Sequence, residues 1–298
     1  SFKRSLKDLN SRGPDETKFF KKKNFLVGFT RLSINNIKNG SQPYQSNCGR
    51  YFIVFNGEIV NYKDLASDLK LKSIKLEYSH EAEIILNLFI LYGEKCVDYL
   101  RGFFSFVITD LKSQKIFAAV DRFSIKPLYY SYNESNNSII ITSDFSVILK
   151  NGFTSKSLNY HKILDYFSVA RDFDNSTIFK NIKKIEASNY LTISSDNKIR
   201  KNRYWHPFKF LPKYNKEKFE NLVIDEFNKV INLWKIAETE LSLCLSTGVD
   251  SQVINNFFAQ NLIQAKKYNL YESKKKLSNI NNLTKIFPNE KKILNLLN

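Results

Sequence analysis

The sequence predicts an α+β domain over roughly the first two hundred residues, followed by the opening of a doubly wound α/β domain. Three observations predict it. Short apolar runs rich in aromatic and β-branched residues come in series up to residue 144, interrupted by one helical pattern. Prolines and lysines cluster in "RYWHPFKFLPKYNKEK", marking a linker at 205–217. Beyond it a helix, a strand, a small-residue loop and a second helix follow in order, as in open parallel sheets.

Taken in order, "NFLVGFTRLSI" (24–34) and "YFIVF" (51–55) are predicted strands, separated by the turn-rich "NGSQPYQSNCGR". Ile84, Ile85, Leu88, Phe89 and Tyr92 recur at helical spacing, and Gly93 supplies a stop. The runs "FFSFVITD", "KIFAAVD", "PLYYSY" and "SIIITSD", joined by short polar turns, predict an antiparallel meander. After the linker, Phe219, Leu222, Val223, Phe227, Val230, Ile231 and Trp234 form the stripe of an amphipathic helix. That helix feeds the strand "LSLCL" (241–245), and "DSQVINNFFAQNL" reads as the next helix.

Composition narrows the function classes. Of 298 residues 43% are hydrophobic, enough for a sizeable core, and no run of 18 apolar residues occurs. A soluble, cytoplasmic protein without a membrane partner is therefore expected. The formal charge of +17 invites an anionic partner, but the lysines are spread along the chain, and no nucleic acid is expected. Cys48, Cys96 and Cys244 lie far apart without CxxC spacing, and the three histidines are dispersed, so neither a disulfide framework nor a metal site is expected.

The loop Leu245-Ser246-Thr247-Gly248-Val249-Asp250-Ser251 sits at the carboxyl end of its strand, where backbone N–H groups and a helix N-terminus converge on an anion. It has neither a Walker lysine nor GxGxxG. On its own residues it is equally an ordinary strand-to-helix turn with an Asp or Ser cap.

It resembles the SGGxDS pyrophosphate loop of ATP pyrophosphatases, with Thr247 where a second glycine is usual. "RGPD" (12–15), "GFTRLSI" (28–34), "QP" (42–43), "FNGEIVNY" (55–62), "GFFSFVITD" (102–110) and "DRFSIKPLYY" (121–130) in turn resemble, in order and spacing, the glutaminase domain of glutamine-hydrolysing asparagine synthetases. The likeness runs through "TSD" (142–144) and fades after residue 262. It implies an αββα N-terminal-nucleophile hydrolase sandwich over 1–205 and the first part of a doubly wound α/β ATP-pyrophosphatase domain over 213–298.

The resemblance implies glutamine, aspartate and ATP with Mg2+ as ligands, transfer of the amide nitrogen by way of an aspartyl adenylate, and a homodimer. It makes Arg31 the grip on glutamine's carboxylate, with Leu32, Ser33, Ile34 and Asn35 lining the pocket. Asn56 and Gly57 become the oxyanion pair, Glu58 a glutamine contact, and Glu81 the acid for the substrate's amino group, one methylene longer than the family's aspartate. Leu245, Ser246, Thr247, Gly248, Asp250 and Ser251 become the ATP-binding set. Without the resemblance, "NGE" reads as a hairpin turn and Glu81 as a solvated residue in a first helical turn. Ser124 stands where the family has glycine.

The family's nucleophile is a free N-terminal cysteine well upstream of "RGPD". Ser1 falls instead in the helix before that element, and no cysteine matches, so the nucleophile is absent and the chain reads as a fragment that does not hydrolyse glutamine. The alternatives are a non-catalytic glutamine-binding module, or an amidotransferase for another carboxylate such as a sugar acid.

Overall fold

The computed structural model describes residues 2–169, 174–210, 216–234, 238–246, 248–260 and 263–269. They fall into two compact units, Ser1–Glu217 and Lys218–Asn298.

The first unit opens with α1 (Phe2–Asp8), β1 (Glu16–Lys22), β2 (Phe25–Arg31), β3 (Tyr44–Gln45) and β4 (Tyr51–Ile59). Then come α2 (Tyr62–Leu71), α3 (Glu81–Tyr92), β5 (Gly102–Asp110), β6 (Lys115–Val120), β7 (Tyr129–Asn133) and β8 (Ser138–Thr142). It closes with α4 (Ser146–Lys150), α5 (Tyr160–Val169), β9 (Lys183–Lys184), β10 (Asn189–Ile193) and β11 (Ile199–Arg203). The helix expected before "RGPD" is α1; Ser1 itself lies outside the described residues.

Six strands form an antiparallel sheet in the order β11-β10-β6-β5-β4-β3. Its central strands alternate between two buried faces, because side chains along a strand point to opposite sides in turn. Ile53, Phe55 and Ile59 of β4 and Phe104, Phe106 and Ile108 of β5 pack with Leu65 and Leu69 of α2 and Ile84, Ile85 and Leu88 of α3. On the other face, Ala118 and Val120 of β6 meet Leu128 and Tyr130 of the β7 arm, and Phe52 stacks on Phe20 of β1 with ring centroids 4.0 Å apart. That second layer consists of the β1–β2 hairpin and the sheet β8-β7-β9, with α1 packed on β2 and α4 on β8. The layers run helix, sheet, sheet, helix, the αββα sandwich.

The expected four-strand meander is split. β5–β6 and β7–β8 are hairpins, but they belong to different sheets. Asp121, fully buried, makes the switch: its carboxylate accepts from the N–H groups of Phe104 (3.1 Å), Phe123 (2.9 Å), Ile125 (3.1 Å) and Lys126 (3.1 Å). Residues 122–126 therefore coil around one carboxylate rather than turning back. Ser124 sits there at φ 53°, the left-handed region that favours glycine.

The second unit is built from α6 (Lys216–Trp234), β12 (Ser242–Leu245), α7 (Val249–Gln260) and β13 (Lys266–Asn269). β12 and β13 pair in parallel with α7 as the crossover, the βαβ arrangement of a doubly wound sheet. Phe227 of α6 stacks on Phe257 of α7 at 5.2 Å. The tail "KKYNLYESKKK…" begins with the strand β13; residues 270–298 lie outside the described ones.

Candidate active site

The ends of β2 and β4, the loop 32–40 and the start of α3 converge on one group of polar side chains. Arg31, 8% exposed, closes β2 and turns its guanidinium into the loop that follows. Nη1 donates to the carbonyl of Ile37 (3.2 Å), and Nη2 to those of Asn35 (3.1 Å) and Asn36 (2.7 Å). A Cβ at Gly40, where this loop closes, would lie 2.4 Å from Nη2, so a side chain there would displace the guanidinium. Arg31, expected to grip a ligand carboxylate, thus holds the pocket wall with its terminal nitrogens.

"RGPD" buttresses the same loop. Gly13 lies so close to β2 that a Cβ would stand 2.6 Å from the Arg31 nitrogen. Asp15 donates its N–H to the Arg31 carbonyl (2.9 Å) and accepts from the N–H of Ser33 (2.7 Å) through its carboxylate. Arg12 Nη1 reaches the carbonyl of Ser143 at 2.8 Å, joining "RGPD" to "TSD". Side chains of Leu32 and Ile34 are exposed along the rim.

"NGE" is not a hairpin turn but the continuous end of β4, in register Asn56↔Ser105, Gly57↔Phe104 and Glu58↔Phe103 with β5. Gly57 at φ 137° admits no side chain: a Cβ would lie 2.0 Å from the carbonyl oxygen of Phe103. Opposite it, Phe104 receives the Asp121 N–H at its carbonyl (2.8 Å) and gives its own N–H to the Asp121 carboxylate. In an antiparallel ladder a residue points both backbone groups to one side, so Phe104 faces β6 and Gly57 faces away from β5. Phe55, of the same parity, confirms the direction: its N–H and C=O pair with the Gln42 side-chain amide at 2.6 and 3.1 Å. Gly57 thus directs its N–H to the sheet edge beyond the point where β3 stops. Asn56 is half-buried, and among the described residues no group hydrogen-bonds its side-chain amide.

Beside this edge Glu58 accepts from Asn35 Nδ2, while Asn36 Nδ2 donates to Glu81 Oε2 at 2.9 Å. The two carboxyl groups also interact with each other. Burial raises both, and Glu81, 6% exposed, is pushed up to about 7 by burial first and then by the Glu58 charge. Lys126 pulls Glu58 the other way. Two neighbouring carboxyls in a low-dielectric site cannot both ionise readily, so the pair holds a proton up to about pH 7. Glu81 is therefore neither solvated nor free to swing.

Asn35 and Glu58 touch directly, Glu58 interacts with Glu81, Asn56 and Gly57 precede Glu58 in β4, Arg31 holds the loop that carries Asn35, and Ser33 is held through its backbone. Asn36, Lys126, Asp15 and Gln42 were not singled out by the sequence. Each sits within or beside a quoted motif, which was the only available signal.

In the second unit, Leu245 ends β12 and the loop closes on its own hydroxyls. The Ser251 hydroxyl accepts from the Ser246 N–H (3.1 Å) and lies 3.0 Å from the Ser246 hydroxyl, which accepts from the Gly248 N–H (3.2 Å). Asp250 stands in the first turn of α7, and Thr247 lies outside the described residues.

The model of the glutamine amidotransferase domain family matches residues 1–205. This chain belongs to that family. Among relatives of this amidotransferase, asparagine synthetase [glutamine-hydrolyzing] 3 of Bacillus subtilis (strain 168) is 30% identical over 258 residues, covering 83% of this chain and 40% of the relative. Amidase chry2 of Gibberella zeae is 26% identical over 270 residues, covering 88% of this chain and 39% of that protein. The solved glutamine phosphoribosylpyrophosphate amidotransferase from B. subtilis matches with 13% identity and a TM-score of 0.44, over 81% of this chain and 50% of that one. The amidotransferase chain spans about 40% of the length of the B. subtilis synthetase it matches.

Proposed function

We propose that the first unit binds glutamine in the pocket between the end of β4, loop 32–40 and the start of α3. The observation that carries this reading is the meeting of the Glu58–Glu81 pair with the Asn56 amide and the Gly57 N–H at one sheet edge. The acid pair offers a site for the substrate's α-ammonium, which takes the place of the shared proton. Asn56 and Gly57 are the donors for the oxygen of the side-chain amide. Asn35 and Asn36 hold the two carboxyls, and Arg31 holds the loop that carries both asparagines.

For the whole protein we infer ATP-dependent transfer of glutamine's amide nitrogen to aspartate, supported by the names of the Bacillus relatives. In the second unit the hydroxyls of Ser246 and Ser251 and the N–H of Gly248, bonded to one another within the loop at the start of a 12-residue helix, are the groups a phosphate would draw on, and Asp250 is the residue for Mg2+. ATP, when bound, supplies the activation of the acceptor carboxylate.

Calorimetric titration of the chain with L-glutamine at pH 8 tests the glutamine reading. Saturable binding is expected, lost with an analogue lacking the α-amino group and weakened at least tenfold by Glu81→Gln. Equal affinity for both ligands would refute it.

A further inference from the structure

α3 begins at Glu81, so whatever fixes its first turn also fixes that carboxylate. The cap is His80, 2% exposed and in extended backbone conformation, whose Nδ1 accepts from the N–H of Glu83 at 3.1 Å. An imidazole accepts at Nδ1 only when neutral, with its proton on Nε2. That Nε2 is buried and has no hydrogen-bond partner among the described residues. The ring lies edge-on to Tyr44 of β3 (centroids 4.7 Å) and parallel to Tyr78 of the preceding turn (6.0 Å).

Around the same ring the Glu83 carboxylate gathers the N–H groups of Glu77 (2.6 Å), Tyr78 (2.9 Å) and Ser79 (2.7 Å) and the Tyr44 hydroxyl (3.0 Å). Cap, turn and helix start are thus one hydrogen-bonded unit. Ser, Thr, Asp and Asn, the usual caps, do not titrate near neutrality; histidine does.

We propose that His80 is a positioning residue of the glutamine site: its neutral imidazole caps α3 and thereby holds Glu81, and protonation withdraws the cap and loosens the site. The inference rests on the reading that Glu81 receives glutamine's ammonium. A proton on Nδ1 removes the acceptor that the Glu83 N–H uses and places a cation at a helix N-terminus, where the helix dipole opposes it. The charged groups facing the ring are Arg31 from β2, Glu83 from α3 and Glu77 from the turn, with Glu81 adjacent in sequence. Burial is the largest influence and holds the imidazole below its ordinary range; Arg31 acts in the same direction, and Glu83 and Glu77 oppose it. The cap is therefore complete at pH 7 and fails on acidification.

The test compares wild type, His80→Ala and His80→Asn, all as the full chain, by glutamine titration from pH 5 to pH 8, with nitrogen NMR of the His80 ring. Alanine is expected to weaken glutamine about fivefold to tenfold at pH 8, the worth of one helix cap, and asparagine, a non-titrating cap, to restore it. Both wild type and His80→Asn share the pH dependence of the Glu58–Glu81 pair. The signature of His80 is the additional loss in wild type as pH falls, absent from the asparagine variant, together with a neutral ring protonated at Nε2. Parallel curves for wild type and His80→Asn, or a ring protonated at Nδ1 at pH 8, would overturn the proposal. If wild type bound no glutamine at any pH, the glutamine reading would fall and this inference with it, whereas glutamine binding indifferent to all three residues sinks the inference alone.

Discussion

Glu81→Gln separates what the acid pair costs the fold from what it does for a ligand. The wild-type carboxyl ordinarily titrates at 4.5 and here at about 7. At about 1.4 kcal/mol per factor of ten, ionising it in the folded chain above pH 7 costs about 3 kcal/mol more than in the unfolded chain. The sign follows from the raised value. Below pH 4.5 the group is protonated folded and unfolded alike, and there is no penalty; it grows as pH rises toward 7 and is complete above. Glutamine at this position keeps an acceptor for Asn36 and gains a donor for Glu58, but never ionises. The variant should therefore match wild type near pH 4 and exceed it by about 2–3 kcal/mol at pH 8, while losing glutamine affinity. Urea unfolding at both pH values, read from midpoints at constant m, checks this. A wild type and variant with parallel stability curves would refute the shared-proton account.

Gly57→Ala should be among the most damaging single changes in β4, because its Cβ would meet the Phe103 carbonyl oxygen at 2.0 Å; a loss of about 3 kcal/mol or more in urea unfolding is expected. Arg31→Ala should free loop 32–40, seen as fast amide exchange at Asn39 and Gly40, whose N–H groups now bond the Asn36 carbonyl at 3.1 and 2.8 Å. Unchanged exchange there would contradict the role given to the guanidinium. Asp121→Ala leaves four backbone N–H groups without their acceptor and should cost about 3–5 kcal/mol, with a drop in melting temperature as the readout.

Much of the architecture is legible in local pattern. Short apolar runs rich in aromatic and β-branched residues announced β2, β4, β5, β6, β7 and β8, and helical spacing of apolar residues announced α3 and α6. β1 escaped notice because "ETKFFKK" is mostly exposed lysine and threonine with two phenylalanines. The two-residue strands β3 and β9 are too short to carry any period.

The sequence by itself determined which residues are available for chemistry: the motifs around Arg31, Asn56 and Glu81, and the small-residue loop after β12. Tertiary structure decided what they do. Only the pairing of β4 with β5 shows that "NGE" is strand rather than turn, and only burial beside Glu58 makes Glu81 a proton-holding acid. Arg31 is a loop anchor because three carbonyls of residues 35–37 fold onto it. The physical reason is range: strand and helix propensity act within a few residues, whereas a shared proton, a cap or a ladder's direction depends on groups brought together from far along the chain.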